Sequence, residues 1–76
     1  MTNKKELNRF RAVGERIKEL RTQAGYTSYE TFALDHNLGR KSYWEWEKGS
    51  NYKFETIIRI VDIHNITLED FFKGLK

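Results

Sequence analysis

Residues 40–48, RKSYWEWEK, place two tryptophans among charged side chains on one predicted helix. Trp44 and Trp46 are two positions apart, which is about 200° around a helix axis, so both rings cannot face the same core. Tyr43 and Trp46 are three positions apart and share the inward face. Trp44 therefore points outward, and an exposed ring of this size indicates a surface that contacts a partner. Lysine stems that simply cover the ring are the alternative.

The charged neighbours of the outward ring indicate what kind of partner it could contact. Arg40 and Lys41 are hydrogen-bond donors, and Glu45 is an acceptor. The chain has a net charge of +3, and its basic residues concentrate in residues 1–25 and 40–53. This distribution suits a polyanion, although a solvated helix surface accounts for the first cluster equally well. Lys41 and Glu45 are four apart and could also pair with each other.

Length and composition limit the classes of protein that remain. With 76 residues, 38% of them hydrophobic, the chain is long enough for one domain, which we expect over residues 1–76 with 1–5 as a frayed tail. Cysteine is absent, so no disulfide or thiolate metal site forms. No apolar run has the length of a membrane span or a signal peptide. We therefore expect a cytoplasmic protein that does not contact a membrane.

The sequence contains no recognisable catalytic or metal-binding constellation. There is no glycine-rich phosphate loop, no H-E-x-x-H motif and no serine with a plausible histidine partner. Glu45 and Glu47 point to different faces of their helix. Neither His36 nor His64 has a second ligand at metal spacing, which favours a structural role for both. We expect no enzymatic activity, no metal, no cofactor and no small-molecule ligand.

Helical periodicity predicts the elements that position these residues. The first helix has an apolar stripe and stops at Gly25. The second is capped by Thr27, in a capping box with Glu30, or by Ser28 one residue later. Thr67 caps the last. The predicted helices cover about residues 5–24, 28–37, 40–48, 54–64 and 68–75, and the apolar stripe of the first consists of Leu7, Phe10, Val13, Ile17, Leu20 and Ala24. These helices predict an all-α compact five-helix bundle.

The second and third predicted helices have the residues that a steep helix crossing requires. Ala33 is small enough to lie where the axes cross, and Asn37 tolerates the left-handed conformation of a tight turn. The side chains predicted to face inward are Phe32, Leu38, Tyr43 and Trp46.

Residues 13–72 resemble the lambda-repressor/Cro type of helix-turn-helix domain, often called the XRE family. The matching motifs are VGERIKELR at 13–21, FA at 32–33, WEKG at 46–49 and TIIRIVDIHNITLEDFF at 56–72, together with Leu38 and Tyr43. The resemblance implies a lambda-repressor-like bundle with the helix-turn-helix at helices two and three. It also implies that helix three, residues 40–48, enters the major groove of DNA.

Carried over position by position, the resemblance assigns roles to individual residues. Arg40, Lys41 and Glu45 match base readers, with Trp44 beside them. Arg and Lys can donate to guanine O6 and N7, and Glu can accept from cytosine N4. Arg21 and Glu47 match a structural pair that ties helix three to helix one. The residues expected to contact phosphates are Ser28, Tyr29, Ser42, Lys48, Asn51 and Lys53.

The function implied by this resemblance is sequence-specific binding of double-stranded DNA by a small transcriptional regulator. A homodimer through the C-terminal helix is also expected, because adjacent Phe71 and Phe72 are hard to bury together in a short helix. The alternative is a protein-interaction module, or an antitoxin-like protein, on the same fold. Trp44 would then be a binding hot spot, and the basic residues would be incidental.

Overall fold

The computed structural model describes residues 4–75, and five α-helices account for all of the regular structure in that range. The helices are α1 Lys4–Gln23, α2 Tyr29–Asp35, α3 Arg40–Lys48, α4 Phe54–His64 and α5 Leu68–Lys73. The predicted all-α, five-helix fold is confirmed, and α3 and α4 have their predicted bounds. Of the predicted tail, residues 1–3 lie outside the described range, whereas Lys4 and Lys5 already belong to α1.

Side-chain caps and left-handed residues set the ends of the helices. Ser28, the second of the two predicted caps, is the N-cap of α2, and its hydroxyl accepts a hydrogen bond from the Thr31 amide at 3.3 Å. Thr67 caps α5 by accepting from the Asp70 amide at 3.0 Å. Asn37 has a φ of 56°, as the turn between α2 and α3 requires. The direction of α3 relative to α2 therefore follows from local sequence.

The hydrophobic core lies where the five helices meet. Phe32 is at its centre, with Tyr43 and His64 against it at ring-centroid distances of 5.1 and 5.3 Å. Ile57, Ile60 and Val61 of α4 are buried, whereas His64 is half-buried and stacks on Phe32. The buried apolar residues are Ile17, Leu20, Phe32, Ala33, Leu38, Tyr43, Ile57, Ile60, Val61 and Phe71. Each helix contributes to this set, and α3 packs against it through Tyr43.

The predicted apolar stripe of α1 is buried only in its middle. Ile17 and Leu20 are in the core, but Leu7 is 44% exposed and Ala24 is also exposed. With 20 residues, α1 is about 30 Å long. Every residue from 4 to 9 is exposed, so the first turns extend beyond the helices that cover the core.

Arg16 connects α1 to α5, a contact that sequence reasoning missed. Its Nε donates to the Phe71 carbonyl and its Nη2 to the Asp70 carbonyl, both at 2.8 Å. Its Nη1 also donates to Glu19 at 2.6 Å. The C-terminal helix is thus fixed by backbone contacts in addition to the buried ring of Phe71.

Candidate functional site

The outer face of α3 presents Trp44 to solvent. Trp44 is 43% exposed, whereas neighbouring Tyr43 is only 1% exposed and forms part of the core. Trp46 is half-buried and makes an edge contact with Tyr43, with ring centroids 5.8 Å apart. The two tryptophans therefore occupy opposite sides of α3, as their spacing predicts.

Lys48 partly covers the exposed ring. Its Nζ lies 5.6 Å from the centroid of Trp44, one turn away on the same face, within the range of a cation–π contact. Such a contact is weak at an exposed site, on the order of 0.5–1 kcal/mol. The ring therefore keeps a large free surface next to a cation that can move aside.

The three charged residues predicted to read bases are all exposed on α3. Arg40 lies at its first turn, where Nη1 is 3.4 Å from a carboxylate oxygen of Glu30 in α2. Both side chains of this pair are more than half exposed, so the interaction contributes little and is easily exchanged for another acceptor. Lys41 and Glu45 do not form an ion pair, within residues 4–75, with each other or with another side chain. Their polar ends are available.

A buried ion pair beside this face fixes α3 to α1. Arg21 donates from Nε and Nη2 to the two carboxylate oxygens of Glu47, at 2.6 and 3.1 Å. Arg21 also donates to the Tyr26 carbonyl at 2.9 Å. Only 6% and 7% of the two side chains is exposed, and the hydrogen bonds that the Glu47 carboxylate accepts raise the pKa of Arg21. The structure thus brings together the pair that the family resemblance implies.

Two glycines allow α1 and the end of α3 to touch through their backbones. A Cβ on Gly14 would lie 2.6 Å from the Glu47 carbonyl oxygen and 2.9 Å from the Gly49 nitrogen. Gly49 has a φ of 97°, and a Cβ there would be 3.0 Å from the Arg11 Cα. Gly14 was missed as a positioning residue, although an isolated glycine inside a helical pattern is a signal for close packing.

Tyr52 holds the segment that follows α3. Its hydroxyl donates to the Trp46 carbonyl, and burial raises the pKa of Tyr52 to about 12. Asn51 and Lys53, on either side of it, are exposed. Two of the residues expected to contact phosphates are therefore presented by a segment anchored to the helix that carries Trp44.

The other residues expected to contact phosphates differ in how accessible they are. Ser42 and Lys48 are exposed on α3. Tyr29, the first residue of α2, is half-buried beside Trp44. Ser28 uses its hydroxyl as the cap of α2, so its remaining hydrogen-bonding capacity is smaller than a free serine would have.

A cleft of about 340 Å³ runs between α1, the start of α2 and the outer face of α3. Its α3 side is formed by Trp44 and Lys48. Its α1 side carries two exposed cations, Arg11 and Lys18, which the sequence did not indicate as binding residues. The full lining consists of Arg11, Glu15, Lys18, Arg21, Tyr29, Trp44, Glu47 and Lys48.

The histidines occupy structural positions around Phe32. His36 and His64 have ring centroids 4.3 and 5.3 Å from that of Phe32. The pKa of His64 is lowered, mainly by burial and further by the charges of nearby His36 and Arg16. Within residues 4–75, no group of three or more histidine, aspartate or glutamate side chains is arranged to hold a metal ion.

The chain matches no protein-family model and no curated protein. None of the helices in residues 4–75 combines the length and the apolarity that a membrane-spanning helix needs.

Proposed function

We propose that this chain is a small transcriptional regulator that binds double-stranded DNA in a sequence-specific manner. In this proposal α2 and α3 form a helix-turn-helix of the lambda-repressor/Cro type, and α3 lies in the major groove. The observation that carries the proposal is the outer face of α3, where an exposed indole lies among exposed cations. The buried Arg21–Glu47 pair and the core hold α3 in this orientation. Binding without catalysis or a cofactor is part of the proposal.

The charged side chains of α3 supply the chemistry of base reading. Arg40 and Lys41 are exposed donors near the start of α3 and fit guanine O6 and N7. Glu45 is an exposed acceptor one turn later and fits the amino group of cytosine. Trp44 would pack on a thymine methyl or on the wall of the groove. Arg40 exchanges the exposed carboxylate of Glu30 for a base edge.

Phosphate contacts orient α3 in the groove without reading sequence. The exposed residues at or after the end of α3, Lys48, Asn51 and Lys53, are the best placed, since Tyr52 anchors their segment. Ser42 and Tyr29 can add hydrogen bonds, and Ser28 contributes mainly as the cap of α2. This set of contacts gives an affinity that falls steeply with salt.

The experiment that tests the proposal is selection of bound duplexes from a random pool at two salt concentrations. We expect one recurring sequence, with weaker binding at high salt. Arg40→Ala with Lys41→Ala should reduce affinity for that sequence at least about tenfold, because each bidentate base contact contributes about 1–3 kcal/mol. The matched control is Lys5→Ala with Arg9→Ala, which removes the same charge from the far side of α1. Failure to enrich any sequence would contradict the proposal.

The exposed indole also fits the second candidate, a protein-interaction module or antitoxin-like protein. The two functions respond differently to substitution. A protein partner should tolerate loss of both Arg40 and Lys41 but not Trp44→Ala, since a hot-spot ring contributes at least about 2 kcal/mol. DNA binding requires the cations and shows the steep salt dependence. Partner binding that survives Arg40→Ala with Lys41→Ala but is lost on Trp44→Ala would favour the protein-interaction function.

A homodimer through α5 is a further part of the proposal. Phe71 is fully buried, so of the two phenylalanines it is Phe72, which is 46% exposed, that can contribute to an interface. A two-fold dimer would present two copies of α3 to successive turns of DNA. Sedimentation should give a dimer for the native chain and a monomer for Phe72→Ser, whereas a native monomer on and off DNA would contradict this part.

A further inference from the structure

One side of α1 continues the surface that α3 presents. Gly14 marks the side of α1 that touches α3. At 100° per residue, Arg11 and Lys18 lie about 60° and 40° from Gly14, in the same direction around the helix. Both are exposed, and both line the cleft whose other wall is Trp44 and Lys48. A macromolecule that covers Trp44 therefore also lies opposite Arg11 and Lys18.

The charge of this cleft is positive once its internal pair is removed. Arg21 and Glu47 neutralise each other, which leaves the cations of Arg11, Lys18 and Lys48 against the carboxylate of Glu15. Within residues 4–75, none of these four forms an ion pair at 4.0 Å or less. The cleft therefore keeps an excess of two positive charges after the carboxylate of Glu15 has been counted.

We propose that Arg11 and Lys18 form a second contact to DNA, on the sugar–phosphate strand beside the groove that α3 occupies. This inference rests on the proposed function and extends its footprint to α1. The occupant follows from charge complementarity and from continuity with the outer face of α3 through Trp44 and Lys48. Arg11 and Lys18 are seven residues, or about 10.5 Å, apart along α1. A DNA strand has one phosphate per about 3.4 Å of axis, so the two cations engage different phosphates.

The salt dependence of binding tests the inference directly. Arg11→Gln with Lys18→Gln should lower the slope of log K against log salt by about 1.8, since each phosphate contact contributes about 0.9. Affinity should fall for selected and unrelated duplexes alike, because phosphates carry no sequence information. The matched control is Lys5→Gln with Arg9→Gln, which lie about 180° and 140° from Gly14 on the other side of α1. We expect this control to keep the native slope.

A substitution at Glu15 should change affinity in the opposite direction to the loss of Arg11 and Lys18. Its carboxylate lies between the two cations in sequence and lines the same cleft, so it repels a phosphate there. Glu15→Gln should bind the selected duplex roughly twofold or more tightly at low salt. Glu69→Gln, an exposed position on α5 that does not line the cleft, is its control. Unchanged or weaker binding by Glu15→Gln would contradict the inference.

The outcomes separate this inference from the proposed function. A native chain that binds no duplex overturns the proposed function, and the inference with it. A native chain that binds, while the Arg11 and Lys18 variant keeps its slope or loses no more than the Lys5 and Arg9 control, overturns the inference alone. Coincident unfolding curves for all of the variants exclude a loss of fold as the cause.

Discussion

Glu47→Gln should destabilise the fold much more than the same substitution at Glu45, although the two residues lie on the same helix. Only 7% of the Glu47 side chain is exposed, and its two oxygens accept both hydrogen bonds that Arg21 sends to α3. Glutamine keeps the shape and one acceptor but removes the negative charge. Arginine remains protonated at any accessible pH, so its charge stays buried with the Tyr26 carbonyl as its other acceptor.

The magnitude follows from the burial of this pair. Removing one partner of a buried ion pair typically costs 3–5 kcal/mol, and the retained acceptor places Glu47→Gln at the lower end, about 3 kcal/mol. In a domain of this size each kcal/mol shifts the melting temperature by about 4–8 °C, so we expect a fall of about 12–24 °C. Glu45 is exposed and forms no ion pair within residues 4–75, so Glu45→Gln should change stability by less than about 0.5 kcal/mol.

Urea unfolding followed by circular dichroism measures both variants. The free energy of unfolding should differ between them by about 3 kcal/mol, with similar denaturant slopes. If Glu47→Gln were no less stable than Glu45→Gln, the ion pair would not be what fixes α3 to α1. The orientation of the outer face would then depend on the glycine contact and the core alone.

Three further substitutions test other parts of the fold. Gly14→Ala should destabilise the chain by about 1–3 kcal/mol in urea unfolding, because the added methyl meets backbone near Gly49, although alanine normally favours helices; a gain in stability would contradict the close contact. Arg16→Met should remove hydrogen-exchange protection from α5 while α3 keeps it, and unchanged exchange in α5 would refute the role of its two carbonyl bonds. The lowered pKa of His64 means that the unfolded chain binds its proton first, so stability should fall as pH drops below 6.5. His64→Phe keeps a ring against Phe32 and should flatten that dependence; a native profile in this variant would assign the effect to another group.

Local signals in the sequence predicted all five helices, although α2 and α5 each end two residues before their predicted ends. The apolar spacing and the turn residues predicted α3 and α4 with their observed bounds, and each of these helices is followed by a residue with positive φ, Gly49 and Asn65. The offset of Trp44 and Trp46 showed that the two rings lie on different faces, and the three-residue spacing of Tyr43 and Trp46 likewise predicted which ring is outward. The resemblance implied the Arg21–Glu47 contact, which spacing alone did not indicate.

Long-range contacts were beyond the sequence patterns. Nothing local to Arg16 indicates that its guanidinium reaches carbonyls of α5, more than fifty residues later. The same holds for the cleft, because Arg11 and Lys18 acquire a shared direction with Trp44 only when α1 crosses α3 at Gly14. The exposed ends of the α1 stripe have a related cause. Periodicity identifies the apolar side of a helix but does not show where the neighbouring helices end.

An NMR titration of the ¹⁵N-labelled chain with the selected duplex tests the central claim most directly, because the two indole N–H groups report on opposite sides of α3. Trp44 is exposed beside Lys48, and Trp46 packs against Tyr43. If α3 enters the groove by its outer face, the Trp44 indole signal should shift strongly, and the Trp46 signal should stay close to its free position. Saturation of the duplex with the Trp44 indole unmoved would contradict the account.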